Sequence, residues 1–471
     1  MWRLPLRTTT ALTTAFVGAI LASQAQAAAD ATEPTPFKSV ILIIGDGFDD
    51  QHVTMGRNYL VGHNGKLTLD TLPVRGAVQV QTVSENGAPL YVADSANTAT
   101  TLATGVVTQI GRVGTGPDDA DVVTILERAA RQGYKTGVVS TSSVTDATPA
   151  SFVSHVANRG CENPKIILGA ERYGTYFPGC TEDASNNGGP GSIAEQIIKA
   201  PADVVLGGGL KHFNTPLHGS ERTVLDHARA QGLAVATTLD ELFNANKDQR
   251  LLGLFAEGNL PVRLQGTDAR KAEDPDTSLL NAVDARLGSV TQPEPMACEP
   301  NPDFGVTPPL ATLTEIALDR LARNNDKGLF LMVESASIDK QSHSRNPCGS
   351  IGEIEQLEEA LAVALTFAEL HPNTLVLVTA DHAQAAQIVP EPSLYEQIPV
   401  PVYSPGKIAR VKTPEGGLMR INYATNNFVS EEHTGANVPL FGNEPARDLL
   451  PPFVTQSELH AAMAEYLNLN P

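Results

Sequence analysis

The chain reads as an α/β protein, a single large domain with surface insertions, and three observations lead there. The run Thr374-Leu375-Val376-Leu377-Val378-Thr379-Ala380, apolar, β-branched and of strand length, stops abruptly at Asp381-His382. Two more such runs stop the same way: residues 39–44 lead into Gly45-Asp46-Gly47, and residues 328–333 lead into Glu334, with Asp339 and His343 close behind. Amphipathic stretches at residues 118–131 and 351–370 each lead into a strand-like run, which suits helices alternating with parallel strands. Open α/β sheets hold ligands at the carboxyl ends of their strands. Repeated acids and imidazoles at those ends favour a metal centre over unrelated helix caps, because Asp oxygens with His nitrogens suit Zn²⁺ and all-oxygen positions suit Mg²⁺.

The amino terminus has the layout of a secretory signal peptide. Arg3 and Arg7 precede an apolar stretch over residues 11–22 and then Ala25-Gln26-Ala27. We expect residues 1–27 to be removed and residues 28–471 to form one exported, soluble domain; the apolar core is too short for a membrane span. The whole chain has 33 Lys and Arg against 53 Asp and Glu, a net charge of −20. Loss of Arg3 and Arg7 takes the balance to about −22. Such a surface repels nucleic acid and gives no general attraction for anionic substrates, so an anion site has to be locally positive through metals, Arg or helix N-termini.

Four cysteines, Cys161, Cys180, Cys298 and Cys348, are an even number in a chain with an export signal, which favours disulfides. Three pairings are possible, and Cys161 with Cys180 and Cys298 with Cys348 is the economical one. The expected mature chain of about 440 residues is long for one domain, yet doubly wound enzymes with insertions reach it, and no internal repeat or linker divides it.

In chain order, Asp46 stands between two glycines that let the backbone turn beside a ligand, and Asp49 and Asp50 read as a local cap or turn. Residues 94–105 are small and polar. Ser95 falls at the start of a short helix there, where free N–H groups favour a phosphate or alkoxide; beside a metal cluster it becomes a credible nucleophile. After the strand expected at residues 136–140, Pro149 suits a first helical turn, with Asp146 and Thr148 just before it. His155 reads as a packed or solvated histidine, and Arg159 as a planar two-pronged donor suited to phosphate oxygens. Residues 161–180 enclose an irregular loop, so a surface excursion is expected over about 161–190 and another over 265–309. Residues 203–206 read as a buried strand, and the following Gly triplet lacks the spacing and acid of a dinucleotide fingerprint. Asp339 and His343 share one face if their segment is helical. His433 adds an imidazole in a turn near the end.

Taken together, IGDG, DSANTATTLATG, TDATPASFVSHVANR, LGGG, VESASIDKQSH followed by NPCG, TADHAQAAQIV and EHTG resemble the bacterial alkaline phosphatase family, in the family's order from Val40 to Gly435. The resemblance implies a central, mostly parallel sheet flanked by helices on both faces, a periplasmic or secreted homodimer, two Zn²⁺ and one Mg²⁺. It implies one zinc on Asp339, His343 and His433, the other on Asp46, Asp381 and His382, and magnesium on Asp46, Thr148 and Glu334. Ser95 matches the residue that becomes phosphorylated and Arg159 the phosphate clamp. Family members with His at the position of Asp146 can offer nitrogen to the third ion. Here Asp146 is expected to orient metal-bound water, and Lys340 to pair with it and approach the phosphate. Two features depart from the family: Asp49 stands where Gly is common, and the loop between Cys161 and Cys180 is longer. The activity implied is hydrolysis of small-molecule phosphate monoesters to alcohol and inorganic phosphate, with neither membrane nor nucleic acid as partner. The competing readings are a phosphodiesterase, sulfatase or metal-dependent mutase of the same superfamily, and a non-catalytic exported metal or phosphate binder. Ser95 in its DSA context with Arg159 favours the monoesterase, the Cys-x-Pro-x-Arg pattern of a sulfatase is absent, and the binder would need a lost ligand or nucleophile.

Overall fold

The computed structural model describes residues 37–172 and 174–470, so the expected signal peptide lies outside the described residues. From Lys38 onward the chain forms one compact unit. At its centre is a ten-stranded sheet: β1 (Ser39–Gly45), β2 (Val74–Gln79), β3 (Lys135–Ser143), β4 (Val204–Gly208), β5 (Ala234–Ala236), β6 (Leu251–Leu254), β7 (Leu329–Ser335), β8 (Thr374–Ala380), β9 (Val438–Gly442) and β10 (Phe453–Thr455). The spatial order is β10-β2-β9-β8-β1-β7-β3-β4-β6-β5. Only β9 runs antiparallel to its two neighbours; every other pairing in the sheet is parallel.

The apolar runs that announced β1, β7 and β8 are buried along their whole length. Each Ile, Leu or Val buried there contributes about 1.5–3 kcal/mol, so a register slip that brings the terminal acids inward is strongly opposed. The parallel registers pair Ile44 with Glu334 and with Thr379, and Gly45 with Ser335 and with Ala380. Pairing thus sets Asp46 and Asp381 at one level on the carboxyl edge, with Glu334 two positions further into the sheet. β3 runs three residues past its expected end at Ser140, and its register against β4 shifts between Val139 and Ser143. Such an irregularity re-aims side chains near the end of a strand.

The helices around the site are α1 (Asp50–Leu60), α2 (Ser95–Thr104), α3 (Ile125–Arg131), α4 (Ala147–Ala150), α5 (Leu310–Ala322), α6 (Ser337–His343), α7 (Pro347–Leu370) and α8 (Gln456–Tyr466). The helix expected over residues 118–131 starts only at Ile125. Thr124 and Glu127 form a reciprocal cap, whereas Asp119 takes φ +70° and Thr115 bridges to Asp121, so the preceding segment is held in turns. Conversely α7 starts four residues before the expected 351, with Pro347 in its first turn and the Asn346 side chain accepting from Gly349 N–H.

Both cysteine pairs are disulfide-bonded, Cys161 to Cys180 and Cys298 to Cys348. Residues 265–309 form short pairings, such as Leu264–Gly266 with Cys298–Pro300, and carry exposed apolar side chains including Leu279 and Val283. A three-stranded sheet of Gln387–Val389, Lys407–Lys412 and Leu418–Tyr423 had no counterpart among the sequence expectations. Among the described residues no helix is long and apolar enough to cross a membrane.

Candidate metal and nucleophile site

At the carboxyl edge, two groups of metal-ligating side chains converge: Asp46, Asp381 and His382 form one, and Asp339, His343 and His433 the other. Asp46 follows β1, and the turn after it needs Gly47, which has φ +67° and whose Cβ position would lie 3.2 Å from the backbone of Asp339. That turn lets Gly47 N–H donate to Asp381 Oδ1 at 3.0 Å. His382 Nε2 lies 3.4 Å from Asp46 Oδ1 and 3.5 Å from Asp381 Oδ2. In the second group, α6 carries Asp339 and His343 one turn apart. Asp339 Oδ2 is 3.3 Å from His343 Nε2, Asp339 Oδ1 is 3.4 Å from His433 Nε2, and the two Nε2 atoms are 3.1 Å apart. The other nitrogen of each ring faces a main-chain carbonyl: His433 Nδ1 is 2.8 Å from Ala93 O, and His343 Nδ1 is bonded to Glu431 O. This pattern orients both rings and turns both Nε2 atoms towards Asp339, an arrangement that suits a shared cation.

The nucleophile candidate is close by. Asp94 caps α2 by accepting from Asn97 N–H at 3.1 Å, and Ser95, 2% exposed, begins the helix. Ser95 Oγ lies 3.0 Å from His382 Nε2 and 3.5 Å from Asp46 Oδ1. Lys340 Nζ sits between two acids, 3.2 Å from Asp46 Oδ2 and 3.0 Å from Asp146 Oδ2. Arg159 donates through Nη2 to Asp146 at 2.8 Å and through Nη1 to Asp94 at 3.3 Å. Ser95, Asp46, Lys340, Asp146 and Arg159 are therefore linked in one polar chain.

Glu334, 1% exposed, accepts from Ser140 Oγ and, at 3.2 Å, from Ser142 Oγ at the irregular end of β3. Thr148 lies on α4, which packs against β7, and its buried hydroxyl lacks a hydrogen-bond partner. Asp381 Oδ2 is likewise buried without one. Orphaned oxygens of this kind are rare in a folded interior and ask for a ligand.

The charges say the same. Burial, reinforced by Asp339 and Asp381, holds the Asp46 carboxyl far above its ordinary range. Burial with Asp46 beside it pushes Glu334 up to about 8, and burial pushes Asp381 up to about 7. Three acids crowded away from water resist ionisation unless a cation joins them, and a divalent ion would reverse all three shifts. Burial holds His382 at about 4 and His433 at about 3, so both rings are neutral near pH 7. Burial also disfavours the His343 cation, but Asp339 outweighs it and raises the ring to about 9. Asp146 is desolvated too, yet Lys340 and Arg159 pull it well below the usual carboxylate range.

Sequence reasoning passed over Asp94 as an Arg159 partner, although an acid directly before a helical Ser is a readable cap. It also passed over Gln384, whose Nε2 donates to Asp339 Oδ1 at 2.7 Å from two residues beyond His382. Asp49, a departure from the expected pattern, caps α1 and contacts His52 Nδ1 at 2.8 Å. His155 is away from the cluster, with Nδ1 at 2.8 Å from Gly114 O and Nε2 at 3.2 Å from Glu127.

A family model described as alkaline phosphatase matches residues 37–407. The chain is 39% identical over 459 residues to streptomycin-6-phosphate phosphatase of Streptomyces griseus, covering 95% of this chain and 94% of that one. It is 38% identical over 455 residues to alkaline phosphatase of Escherichia coli, covering 95% and 89%. Among solved structures, a variant of the alkaline phosphatase from the Antarctic bacterium TAB5 with Mg in its M3 site superposes with a TM-score of 0.64 at 22% identity, covering 93% of this chain and all of that one. A metal-dependent phosphatase chemistry follows from this kinship together with the two ligand clusters, and the chain belongs to the alkaline phosphatase family.

Proposed function

We propose that the protein is an exported phosphomonoesterase that works through a phosphoserine at Ser95, with zinc on Asp339, His343 and His433, a second zinc on Asp46, Asp381 and His382, and magnesium on Asp46, Thr148 and Glu334. The observation that carries this reading is Ser95 Oγ at 3.0 Å from a nitrogen of one ligand cluster. The residues fit the ions: the two mixed clusters match zinc chemistry, the orphaned Thr148 hydroxyl and the buried Glu334 offer only oxygen, and buried acids without a cation are held against their charge. When bound, the ions supply Lewis-acid stabilisation of the attacking and leaving oxygens and lower the pKa of a hydroxyl or water beside them.

The chain's own groups do the rest. Ser95 Oγ, at the first turn of α2, forms the bond to phosphorus while the ester oxygen leaves; the N–H groups of that turn and the helix dipole favour the phosphate's charge. Arg159, held flat between Asp94 and Asp146, presents a planar fork to two phosphate oxygens. Lys340 adds a cation on the same side, kept charged because Asp146 and Asp46 outweigh its burial. Water then displaces Ser95 from phosphorus, and two in-line inversions give retention. Homodimer assembly and a periplasmic or secreted location belong to the same proposal, supported by the family and by the leader-like first 27 residues. Mg in the M3 site of the TAB5 variant supports the oxygen-only third site here.

The test is hydrolysis of an aryl phosphate, an aryl phosphodiester and an aryl sulfate by the metal-loaded protein across alkaline pH. The monoester should be cleaved at least about a hundredfold faster in kcat/KM than the other two. A diester or sulfate turned over as fast as the monoester overturns the reading.

A further inference from the structure

In a chain with 53 acidic and 33 basic residues, a concentration of cations asks for an explanation. At the amino ends of β3, β4 and β6, the edge of the sheet opposite Asp46 and Asp381, a cavity of about 270 Å³ is lined by Lys135, Lys247, Arg250, Arg320 and Arg323 with only Asp203 and Asp248 among them. Among the described residues, two of the five cations have main-chain acceptors only. Arg320, 8% exposed, donates to the carbonyls of Ala245 at 2.7 Å, Asn246 at 3.0 Å and Gln249 at 3.5 Å. Arg250 donates to the carbonyls of Ala202 at 2.9 Å, Ile198 at 3.4 Å and Ala200. Carbonyls orient these guanidinium groups but do not cancel their charge.

The acids present are already committed. Asp203 accepts from Lys135 Nζ at 2.9 Å and from Thr136 N–H at 2.9 Å. Asp248 is 72% exposed and 3.7 Å from Arg323 Nε, and the pair of Lys247 with Asp319 is open to water on both sides, so both are weakly held. Burial lowers the pKa of Arg250 and of Arg320 by more than Asp203 and Asp319, respectively, raise them, so the nearby acids leave both cations undercompensated. The cavity is concave and positive on an otherwise acidic protein, which suits a small ligand better than a flat polyanion or a lipid surface.

We propose that this cavity binds a small, multiply charged oxyanion of the phosphate class, at a site separate from the catalytic centre and independent of its metals. The planar donors of Arg suit tetrahedral oxyanions, and inorganic phosphate, the product of the proposed reaction, is the member of that class formed by the enzyme itself. The substituents to change are Lys247 and Arg323, both about half exposed and outside the catalytic groups, so that the fold is spared.

Equilibrium dialysis of the metal-loaded protein against radiolabelled inorganic phosphate at physiological ionic strength should give two bound phosphates per chain. Lys247→Glu with Arg323→Glu should leave one, weaken the second by at least about tenfold, and keep kcat on an aryl phosphate within about twofold of the parent. A double variant that binds as many phosphates per chain as the parent would overturn the proposal. If the protein proves not to be a phosphatase, the dialysis still decides this site, because its readout is the difference of one phosphate per chain between parent and double variant, whatever the parent's total.

Discussion

Replacing His460 by Gln should remove an acid-sensitive part of the protein's stability, and the size follows from the environment of the ring. His460 lies on α8, 5% exposed, with Nδ1 3.0 Å from Leu102 O at the core of α2 and Nε2 3.3 Å from Arg128 Nη1. Arg128 has only N–H to offer, so Nε2 must accept and the ring must be neutral. Burial holds its pKa at about 4, against about 6.5 in the unfolded chain. The folded pKa is depressed, so the unfolded state takes up the proton first as pH falls. The full stability is present above pH 6.5 and is lost progressively towards pH 4. Between pH 7.5 and 4.5 the loss attributable to this one ring is about 2.5 kcal/mol, at about 1.4 kcal/mol per pH unit. Urea unfolding of the parent and of His460→Gln, at fixed protein, zinc and magnesium concentrations, measures it as a difference that cancels acid effects elsewhere. At pH 7.5 the variant should be less stable by about 1–3 kcal/mol for its lost packing and hydrogen bonds. By pH 4.5 that gap should have closed by about 2.5 kcal/mol or reversed. A gap that stays within about 0.5 kcal/mol of its neutral value across the range would show that the ring is not held neutral, and the reasoning would fail.

Ser95→Ala should fold, keep its metal content and lose monoesterase activity by at least about a thousandfold, since only the attacking oxygen is removed; phosphate trapped on any other residue counts against the assignment. The disulfides close loops of different length, with separations of 50 residues for Cys298–Cys348 and 19 for Cys161–Cys180. On the chain-entropy model the Ser variants of the two pairs should lose about 4 and about 3 kcal/mol in urea unfolding, and a reversed order would reject that account. Mg²⁺ should stimulate the zinc-loaded enzyme, and Asp146→His should move the third site towards Zn²⁺ by adding a nitrogen ligand. Full activity without magnesium, together with unchanged metal content in the variant, would dismiss the oxygen-only third site.

Strand ends were legible in the sequence because parallel strands buried on both faces need unbroken apolar runs, and a carboxylate ends such a run abruptly. Thus β1, β7 and β8 were found with nearly their observed bounds, and the start of α2 at Ser95 was readable from a run of small polar residues, although its cap is Asp94. The helix over residues 118–131 was overcalled, since Val122 fits the helical period but its N–H bonds to Gly114 O in a turn that periodicity does not register. The short strands Val438–Gly442 and Phe453–Thr455 went unread, because so few residues carry too little pattern to separate a strand from a loop.

The sequence by itself determined the residue types, their local settings and their order, from which a metal-assisted phosphatase chemistry could be inferred. Only the tertiary structure decided which of those groups meet. Lys340 reaches Asp46 across 294 positions, His382 reaches Ser95 across 287, and His433 turns its Nδ1 to Ala93 across 340. No local signal spans such separations; the parallel register of β1 with β7 and β8 sets the level of the acids, and side-chain packing sets their angles. The clamp of Arg159 between Asp94 and Asp146, and the guanidinium groups of Arg250 and Arg320 held by main-chain carbonyls at the opposite edge of the sheet, exist only once the chain has folded. Charge compensation depends on distance and burial, and neither is a property of a residue in isolation.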